Sequence, residues 1–352
     1  MIRTDFLQVI LLEIFCLIVF IIYRQDFFKN IKKYNNSYFF LWLFITIFCT
    51  WFSWGHDYYN YKELLQYQTH VEQVYVTLFN LINQNYLLWR FIVWGLSSLF
   101  VIFTFRNLNT TVGLASILFI LLPLLQFYCV TRNSLSLSIL FYALSYIRFN
   151  SFKGWIIAIS LLILAYNLHQ SMPLYLCLFL FVCLIPFNKT TLIASLILFP
   201  FLKGGILMLS ESFISMFSND NFGETGISYI EDNNEMAYTT FGWIHKIFSM
   251  APIILILYYS VRESILKNNI KKNDYTNKYL FFAYILIYMS FLFWGEGSKH
   301  LQTRFLDAAY LPLCYFLSQF LSTRRAKPIV NIFFILSLAS FLWRILYNIY
   351  SF

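Results

Sequence analysis

Residues 112–130 read VGLASILFILLPLLQFYCV, a run of 19 residues without a charge. A helix of about 20 apolar residues spans the hydrocarbon core of a bilayer, so this run has the length of a transmembrane helix. The rest of the chain has the same character, because 60% of its 352 residues are hydrophobic, 22% are aromatic and only 12% are charged. A soluble protein of this length cannot bury that much apolar surface. The sequence therefore predicts an all-α polytopic membrane protein.

Apolar windows of about 20 residues divide the chain into about 12 predicted transmembrane helices. They lie at 5–23, 38–54, 87–105, 112–130, 134–149, 154–168, 172–187, 191–210, 244–260, 279–294, 305–321 and 328–349. The span at 191–210 is the weakest, because Lys203-Gly204-Gly205 interrupts it. We expect residues 1–352 to form one transmembrane helical domain.

The basic residues predict the orientation of these helices. Alternate loops hold 16 of the 25 lysine and arginine residues and only three acids, which gives that side a net charge of +13. The remaining residues sum to −4. Loops rich in lysine and arginine stay in the cytoplasm. We therefore expect both termini to lie outside, together with periplasmic loops at 55–86, 211–243 and 295–304.

The composition and motifs exclude several classes of function. The net charge of +9 does not indicate a nucleic-acid partner, since the basic residues are dispersed between apolar spans. The six cysteines lie in apolar runs without metal-ligand spacing, and no glycine-rich nucleotide motif occurs. We expect no cofactor. We also expect no metal site, although Asp57, Glu224 and Glu296 are acids that could gather around a divalent ion.

Ionisable residues cluster at the outward ends of the predicted spans. Such residues are costly in a membrane, and by default they mark functional sites. They come from at least six of the predicted helices and are Asp57, Arg90, Arg132, His169, Lys203, Glu296, Lys299, His300 and Arg304. Because arginine, lysine and histidine predominate, the cluster predicts an outward-facing pocket for an anion.

Several of these residues also have an ordinary structural interpretation. Asp57 could cap the helix that begins near Tyr58. Arg90 could be an anchor among the lipid headgroups, and His169 could be a hydrogen-bonded core residue. Arg132 differs, because CVTRNSLSLS at 129–138 places it between two apolar runs without an acidic neighbour. We expect an unpaired arginine there to bind a phosphate.

Four short motifs follow one another along the chain: GHDYYNY at 55–61, TRNSL at 131–135, NLHQSMPLYL at 167–176 and TRFLDAAY at 303–310. In this order they resemble the EpsG-type polysaccharide polymerases, which belong to the broader Wzy class that polymerises O-antigen and exopolysaccharide. The matching positions are Asp57-Tyr58 with Tyr61, Arg132, His169 with Ser171, and Arg304 with Tyr310. Two positions depart from the pattern: Asn133 stands where glutamine is commoner, and Met172-Pro173 replaces small residues.

The resemblance implies a membrane glycosyltransferase with a GT-C-like architecture and an outward-facing active site. Such an enzyme transfers a growing glycan from undecaprenyl diphosphate to the next lipid-linked repeat unit, at the periplasmic face of the bacterial inner membrane. Its partners would be the lipid-linked donor and acceptor, the bilayer and, in the cell, a chain-length regulator protein and a flippase.

The same resemblance implies roles for individual residues. Asp57, His169 and Arg132 are the catalytic candidates, and either His169 or Asp57 would accept the proton of the attacking hydroxyl. The residues expected to bind the diphosphate and the glycan are Arg304, Tyr58 and Tyr61 from the motifs, together with residues that the charge distribution alone singles out: Arg90, Lys299, His300 and Glu296 of the outward cluster and Glu224 of the loop at 211–243. Arginine suits a diphosphate because its planar fork binds two oxygens at once, and tyrosine offers a flat face to a sugar ring.

A flippase for lipid-linked oligosaccharides is the main alternative, since it has a similar number of spans and handles the same carrier. A transporter is expected to place its cations midway through the spans, around a cavity that opens to both sides alternately. A sugar O-acyltransferase would use a cytoplasmic donor. The predicted cluster lies at one face, and that face is the outward one, which favours the polymerase.

Overall fold

A computed structural model describes residues 37–51, 56–68, 71–108, 131–147, 151–169, 172–216, 274–293 and 299–320, together with positions 14 and 332 and most of 250–262. Every secondary-structure element in these ranges is helical. The prediction of an all-α chain is therefore confirmed for the part that the structure describes.

Ten helices are named here in chain order. They are α1 (Ser37–Trp51), α2 (His56–Tyr67), α3 (Gln73–Leu81), α4 (Tyr86–Asn107), α5 (Thr131–Ile147), α6 (Phe152–Leu168), α7 (Met172–Leu184), α8 (Lys189–Met216), α9 (Asp274–Leu292) and α10 (Lys299–Phe320).

Eight of the predicted spans coincide with α1 and with α4 to α10. The span at 244–260 overlaps the helical residues described between 250 and 262. The spans at 5–23, 112–130 and 328–349 lie outside the described residues, apart from positions 14 and 332. The polar segment predicted within 55–86 forms two helices, α2 and α3.

Among the described helices, α4 has both the length and the composition needed to cross a membrane. The helices α6 and α7, and residues 278–292 of α9, are apolar but shorter. The number of twelve spans and the GT-C-like arrangement remain predictions.

The helix α8 is continuous where the sequence predicts an interruption. It runs without a break for 28 residues, through Pro200 and through Lys203-Gly204-Gly205. A Cβ added to Gly205 would meet no atom of the described residues within 4 Å, so no close approach within this part of the chain requires a glycine there. The two glycines lower the helix propensity of this segment without ending the helix.

The chain divides into two compact units, each described separately below. The first unit comprises residues 1–175 and 318–324, and the second comprises residues 176–317 and 325–352.

In the first unit, α4 lies between α1 and α5. The indole N–H of Trp42 on α1 donates to the carbonyl of Gly95 on α4 at 2.8 Å. A Cβ on Gly95 would lie 3.3 Å from the Thr46 methyl group, so the small residue permits this close contact. Ser97 on α4 bonds Ser138 on α5, hydroxyl to hydroxyl, at 2.9 Å. Small and hydroxylated residues at helix contacts are typical of membrane bundles.

The directions of these helices follow from the paired residues. Ser97 and Asn107 of α4 contact Ser138 and Ser145 of α5, so these two helices run parallel. A short connection joins α5 to α6, and the two helices pack along their length, which makes them antiparallel. A Cβ on Gly154 of α6 would lie 2.8 Å from the backbone oxygen of Tyr146 in α5, so this hairpin needs a glycine at that position.

Trp42 and Cys49 of α1 contact Gly95 and Arg90 of α4, so α1 and α4 are antiparallel. Four helix ends of the first unit therefore lie at the same end of the bundle. They are the end of α1, the start of α4, the start of α5 and the end of α6. The two polar-segment helices α2 and α3 contact the same end, through the side chains described in the next subsection.

In the second unit, α8 packs on α9 through a polar contact. The hydroxyl groups of Ser195 and Tyr284 lie 2.6 Å apart, and the Tyr288 hydroxyl donates to the backbone oxygen of Ser195 at 2.7 Å. The helices α9 and α10 are antiparallel, because Tyr279 contacts Tyr315 and Phe293 stacks on Phe305. The end of α9 and the start of α10 therefore lie together.

Candidate functional site

Arg132 lies in the first turn of α5 and forms an ion pair with Glu72. Its Nη1 donates to Oε2 of Glu72 at 2.6 Å. The Arg132 side chain is 16% exposed and the Glu72 side chain 13%, so both are largely shielded from solvent. A shielded pair at this distance holds both side chains in place more firmly than an exposed pair does.

This pair corrects the expectation that Arg132 has no acidic partner. Glu72 precedes Arg132 by 60 residues and belongs to the polar segment at 55–86. Local sequence around Arg132 does not contain the acid, and only the packing of α3 against the start of α5 brings the two together.

The ring of Tyr61 packs against the same guanidinium. Tyr61 belongs to α2, and its ring centroid lies 4.6 Å from the Arg132 Cζ, which is within the range of a cation–π contact. Tyr61 is only 5% exposed. The expectation that its ring offers an open face to a sugar is therefore wrong, because the ring is buried against Arg132.

Tyr75 connects α3 to the backbone of Arg132. Its hydroxyl donates to the Arg132 carbonyl at 3.3 Å. The Tyr75 ring also meets the Trp89 ring edge-on at 5.6 Å, and Trp89 stacks on Tyr86 at 5.8 Å. Tyr75 and Trp89 are completely or almost completely buried. The ring of Tyr75 thus fixes α3 against the start of α4, and its hydroxyl bonds α3 to α5.

Two groups in this cluster, Tyr75 and Arg132, have shifted pKa values. Burial raises the pKa of Tyr75 well above its usual value, and the nearby Glu72 carboxylate raises it further. Tyr75 is therefore a neutral hydrogen-bond donor. Burial alone would lower the pKa of the Arg132 guanidinium, but Tyr61 and Glu72 outweigh this effect and the pKa is raised. Arg132 is a cation at every pH that a cell experiences.

Arg90 is buried inside the first unit. It is 2% exposed, and its Nη2 donates to the backbone oxygen of Cys49 at 2.6 Å. Its Cζ lies 6.0 Å from the centroid of the Tyr86 ring. The interpretation of Arg90 as a headgroup anchor is wrong, since a snorkelling side chain would reach the surface. Arg90 instead supplies a donor and a positive charge to the carbonyl end of α1, where helix carbonyls lack intrahelical partners.

His169 ends α6. Its backbone N–H donates to the carbonyl oxygens of Ala165 and Tyr166 at 3.2 and 3.3 Å, and its own carbonyl accepts from the N–H of Met172. His169 thus forms the tight connection between α6 and α7. Because α5 and α6 are antiparallel, His169 and Arg132 lie at the same end of the first unit.

Asp57 and Tyr58 belong to the first turn of α2, but their side chains lie outside the described residues. Because α2 begins at His56, Asp57 lies within the helix and not at its N-cap, which corrects the capping interpretation. Positions 57 and 61 are one helical turn apart and share a face of α2. Tyr61 contacts Arg132, so this turn of α2 lies near the ion pair.

The remaining candidates belong to the second unit. Arg304 is partly exposed and lies one helical turn into α10, next to the buried Phe305. Lys299 and His300 form the start of α10, and their side chains lie outside the described residues. Glu224 and Glu296 lie wholly outside them.

Sequence reasoning missed Glu72, Tyr75 and Trp89. One signal was available for Glu72, since acids are scarce in this chain and the outward loops carry most of them. Nothing in the sequence distinguishes Tyr75 or Trp89 from the other aromatic residues. In the described ranges, no group of three or more histidine, cysteine, aspartate or glutamate residues is arranged to hold a metal ion.

The family comparison agrees with the motifs quoted from the sequence. The model of the EpsG family matches residues 35–352, which include every helix from α1 to α10 and the whole Arg132 cluster. Comparisons with curated proteins and with solved structures find no match. Because the family match covers most of the chain, the chain belongs to the EpsG family, a family of exopolysaccharide polymerase-type membrane proteins.

Proposed function

We propose that this protein is the glycosyltransferase that polymerises undecaprenyl-diphosphate-linked repeat units at the periplasmic face of the bacterial inner membrane. The observation that carries the proposal is the arrangement of Arg132. Its guanidinium is held between the Glu72 carboxylate and the Tyr61 ring. His169 and the first turn of α2 lie at the same end of the bundle.

The reaction would proceed by displacement at the anomeric carbon of the donor glycan. A hydroxyl group of the acceptor repeat unit attacks that carbon, and the bond between the carbon and the diphosphate oxygen breaks. The leaving diphosphate takes the bonding electrons and gains negative charge. The proton of the hydroxyl passes to His169 or Asp57, which are the candidate bases. Arg132 stabilises the charge that develops on the diphosphate.

The position of Arg132 in its helix supports an anion partner. The start of a helix carries positive partial charge, so a cation there is unfavourable unless negative charge lies nearby. Glu72 supplies one negative charge, and a bound diphosphate would supply more. A guanidinium has five N–H donors, so the ion pair with Glu72 is compatible with a further contact to a phosphate oxygen.

The exposed side chains of α6 and α8 support a lipid environment. Trp155, Ile159 and Ile163 lie on the exposed surface of α6, and Ile197 and Phe201 lie on that of α8. Apolar surfaces of this kind are expected where acyl chains surround a helix. We include the bilayer and the lipid-linked donor and acceptor among the partners of the protein, with a chain-length regulator and a flippase as partners in the cell.

Deletion of the gene tests the proposal directly. The surface polysaccharide of the deletion strain would be separated by size on a gel, with a plasmid-borne wild-type copy as the control. We expect single repeat units in place of long chains, with long chains restored by the plasmid. Loss of all surface glycan would contradict the proposal and indicate a flippase.

A further inference from the structure

We infer that Glu72 is a positioning residue, which acts through Arg132 by fixing the orientation of its guanidinium toward the diphosphate. The inference rests on the proposed polymerase function. It concerns a residue that carries no family motif and that makes its one described ion pair with Arg132.

The first observation is that the Glu72 carboxylate does not perform its usual local role. Glu72 is the N-cap residue of α3, with an extended backbone, but its side chain makes no capping hydrogen bond. An acid at an N-cap ordinarily accepts from an amide in the first turn of its own helix. Here the carboxylate reaches Arg132 on another helix at 2.6 Å.

The second observation is that α3 holds Arg132 at two points. Glu72 accepts from the Arg132 guanidinium, and Tyr75 donates to the Arg132 backbone oxygen. Tyr75 is itself fixed by its edge-on contact with Trp89 of α4. Because α3 is anchored independently of Arg132, the carboxylate has a defined position from which to orient the guanidinium.

The third observation is that Tyr61 restricts the guanidinium from another direction. Its ring, on α2, lies 4.6 Å from the Arg132 Cζ, while Glu72 contacts the Nη1 atom. A ring and a carboxylate together limit both the displacement and the rotation of a planar group. An arginine held by three partners from two other helices is preorganised, which is what stabilisation of a transition state requires.

Kinetic measurements on the purified full-length protein test this inference. The substrate would be lipid-linked repeat units extracted from membranes of the deletion strain. The variants are Glu72→Gln, Glu72→Ala, Arg132→Ala, Arg132→Lys and the double variant Glu72→Ala with Arg132→Ala. The control is Glu63→Gln, which removes an exposed acid from the same polar segment. Thermal unfolding of each variant reports whether it is folded.

We expect Glu72→Gln to lower kcat by about 10- to 100-fold with a smaller change in KM, because a misplaced catalytic group loses transition-state stabilisation first. Glu63→Gln should keep wild-type kcat. Adding Glu72→Ala to Arg132→Ala should cause no further loss, since a positioning residue has no effect once its target is gone. If Glu72→Ala does not fold, the kcat of Glu72→Gln alone tests the positioning role of Glu72.

Two results would overturn the inference while leaving the proposed function intact. One is a Glu72→Gln variant with wild-type kcat beside an inactive Arg132→Lys variant. The other is a double variant whose loss is the product of the two single losses, which would mean that Glu72 acts independently of Arg132. Wild-type kcat in Arg132→Lys would overturn the proposed role of Arg132 itself, and the inference with it.

Discussion

Arg132 is a cation in the first turn of a helix, where the aligned peptide dipoles make a positive charge unfavourable. Glu72 and Tyr61 offset this cost by an ion pair and a cation–π contact. Arg90, by contrast, is a cation at the carbonyl end of α1, where the same dipole effect favours it. The two arginines of this region therefore differ: Arg90 is buried and bonds the end of α1, whereas Arg132 is partly exposed, and we propose that it binds an anion.

Replacing Arg132 by lysine should abolish long polysaccharide chains. Lysine keeps the positive charge but loses the planar fork and its fit between Glu72 and Tyr61. Loss of one such contact in a transition state lowers the rate by roughly a hundred- to a thousandfold. The measurement is the length of the surface polysaccharide of the variant strain, with the amount of inserted protein followed by immunoblot.

The matched control is Arg106→Lys. Arg106 is an exposed basic residue in the last turn of α4, at the opposite end of that helix from Arg90. Because Arg106 is exposed at a helix end, Arg106→Lys should still produce long polysaccharide chains. Long chains from Arg132→Lys, at normal protein levels, would remove this residue from the mechanism.

The proposed chemistry also leads us to expect turnover without a divalent metal. In the proposed reaction, Arg132 would supply positive charge for the leaving diphosphate, a task that metal ions perform in many other enzymes. Purified protein should keep its turnover of lipid-linked repeat units after treatment with excess EDTA. Activity that disappears in EDTA and returns with magnesium or manganese would show that a metal takes part.

At the scale of helices, the apolar pattern predicted the described elements well and their contacts poorly. The positions of α1 and of α4 to α7 follow from the apolar runs, because each apolar residue of a run adds to the preference of that segment for a transmembrane helix. The Glu72–Arg132 ion pair cannot be predicted from local sequence, since 60 residues separate its members and only tertiary packing joins them. The effect of Lys203-Gly204-Gly205 was overestimated, because a long apolar helix tolerates two glycines where nothing else ends it.

Two glycines on different helices should respond oppositely to alanine. A Cβ on Gly154 would lie 2.8 Å from a backbone oxygen of α5, a contact that only a shift of the hairpin can relieve. We expect Gly154→Ala to destabilise the protein by about 1–3 kcal/mol. A Cβ on Gly205 meets no atom within 4 Å in the part of the chain that the structure describes, so Gly205→Ala should be neutral or stabilise the protein by about 0.5–1 kcal/mol.

Thermal unfolding of the purified protein in detergent checks this pair of variants. The Tm of Gly154→Ala should fall below that of the wild type, and the Tm of Gly205→Ala should equal or exceed it. An equal decrease in Tm for both variants would mean that the close α5–α6 contact at Gly154 does not determine the effect of the substitution.

For the whole molecule, the central expectation is the orientation of the first unit in the membrane. The helix α4 has 22 residues and a length of about 33 Å, enough to cross the hydrocarbon core of a bilayer. The polar helix α3 contacts its start through Tyr75 and Trp89, and Arg106 lies in its last turn. From the charge asymmetry along the sequence, we expect the start of α4 to lie in the periplasm and its last turn in the cytoplasm.

Cysteine labelling of Glu63→Cys and Arg106→Cys tests this orientation, in a chain whose six native cysteines are replaced. Both positions are exposed in the described structure, so a thiol at either should react once reagent reaches it. In spheroplasts, a membrane-impermeant maleimide should label residue 63 and leave residue 106 unlabelled. Residue 106 should become reactive after the membrane is permeabilised, which separates protection by the membrane from burial in the protein. The reverse pattern in spheroplasts would invert the topology and place the Arg132 cluster in the cytoplasm, where a periplasmic polymerase cannot use it.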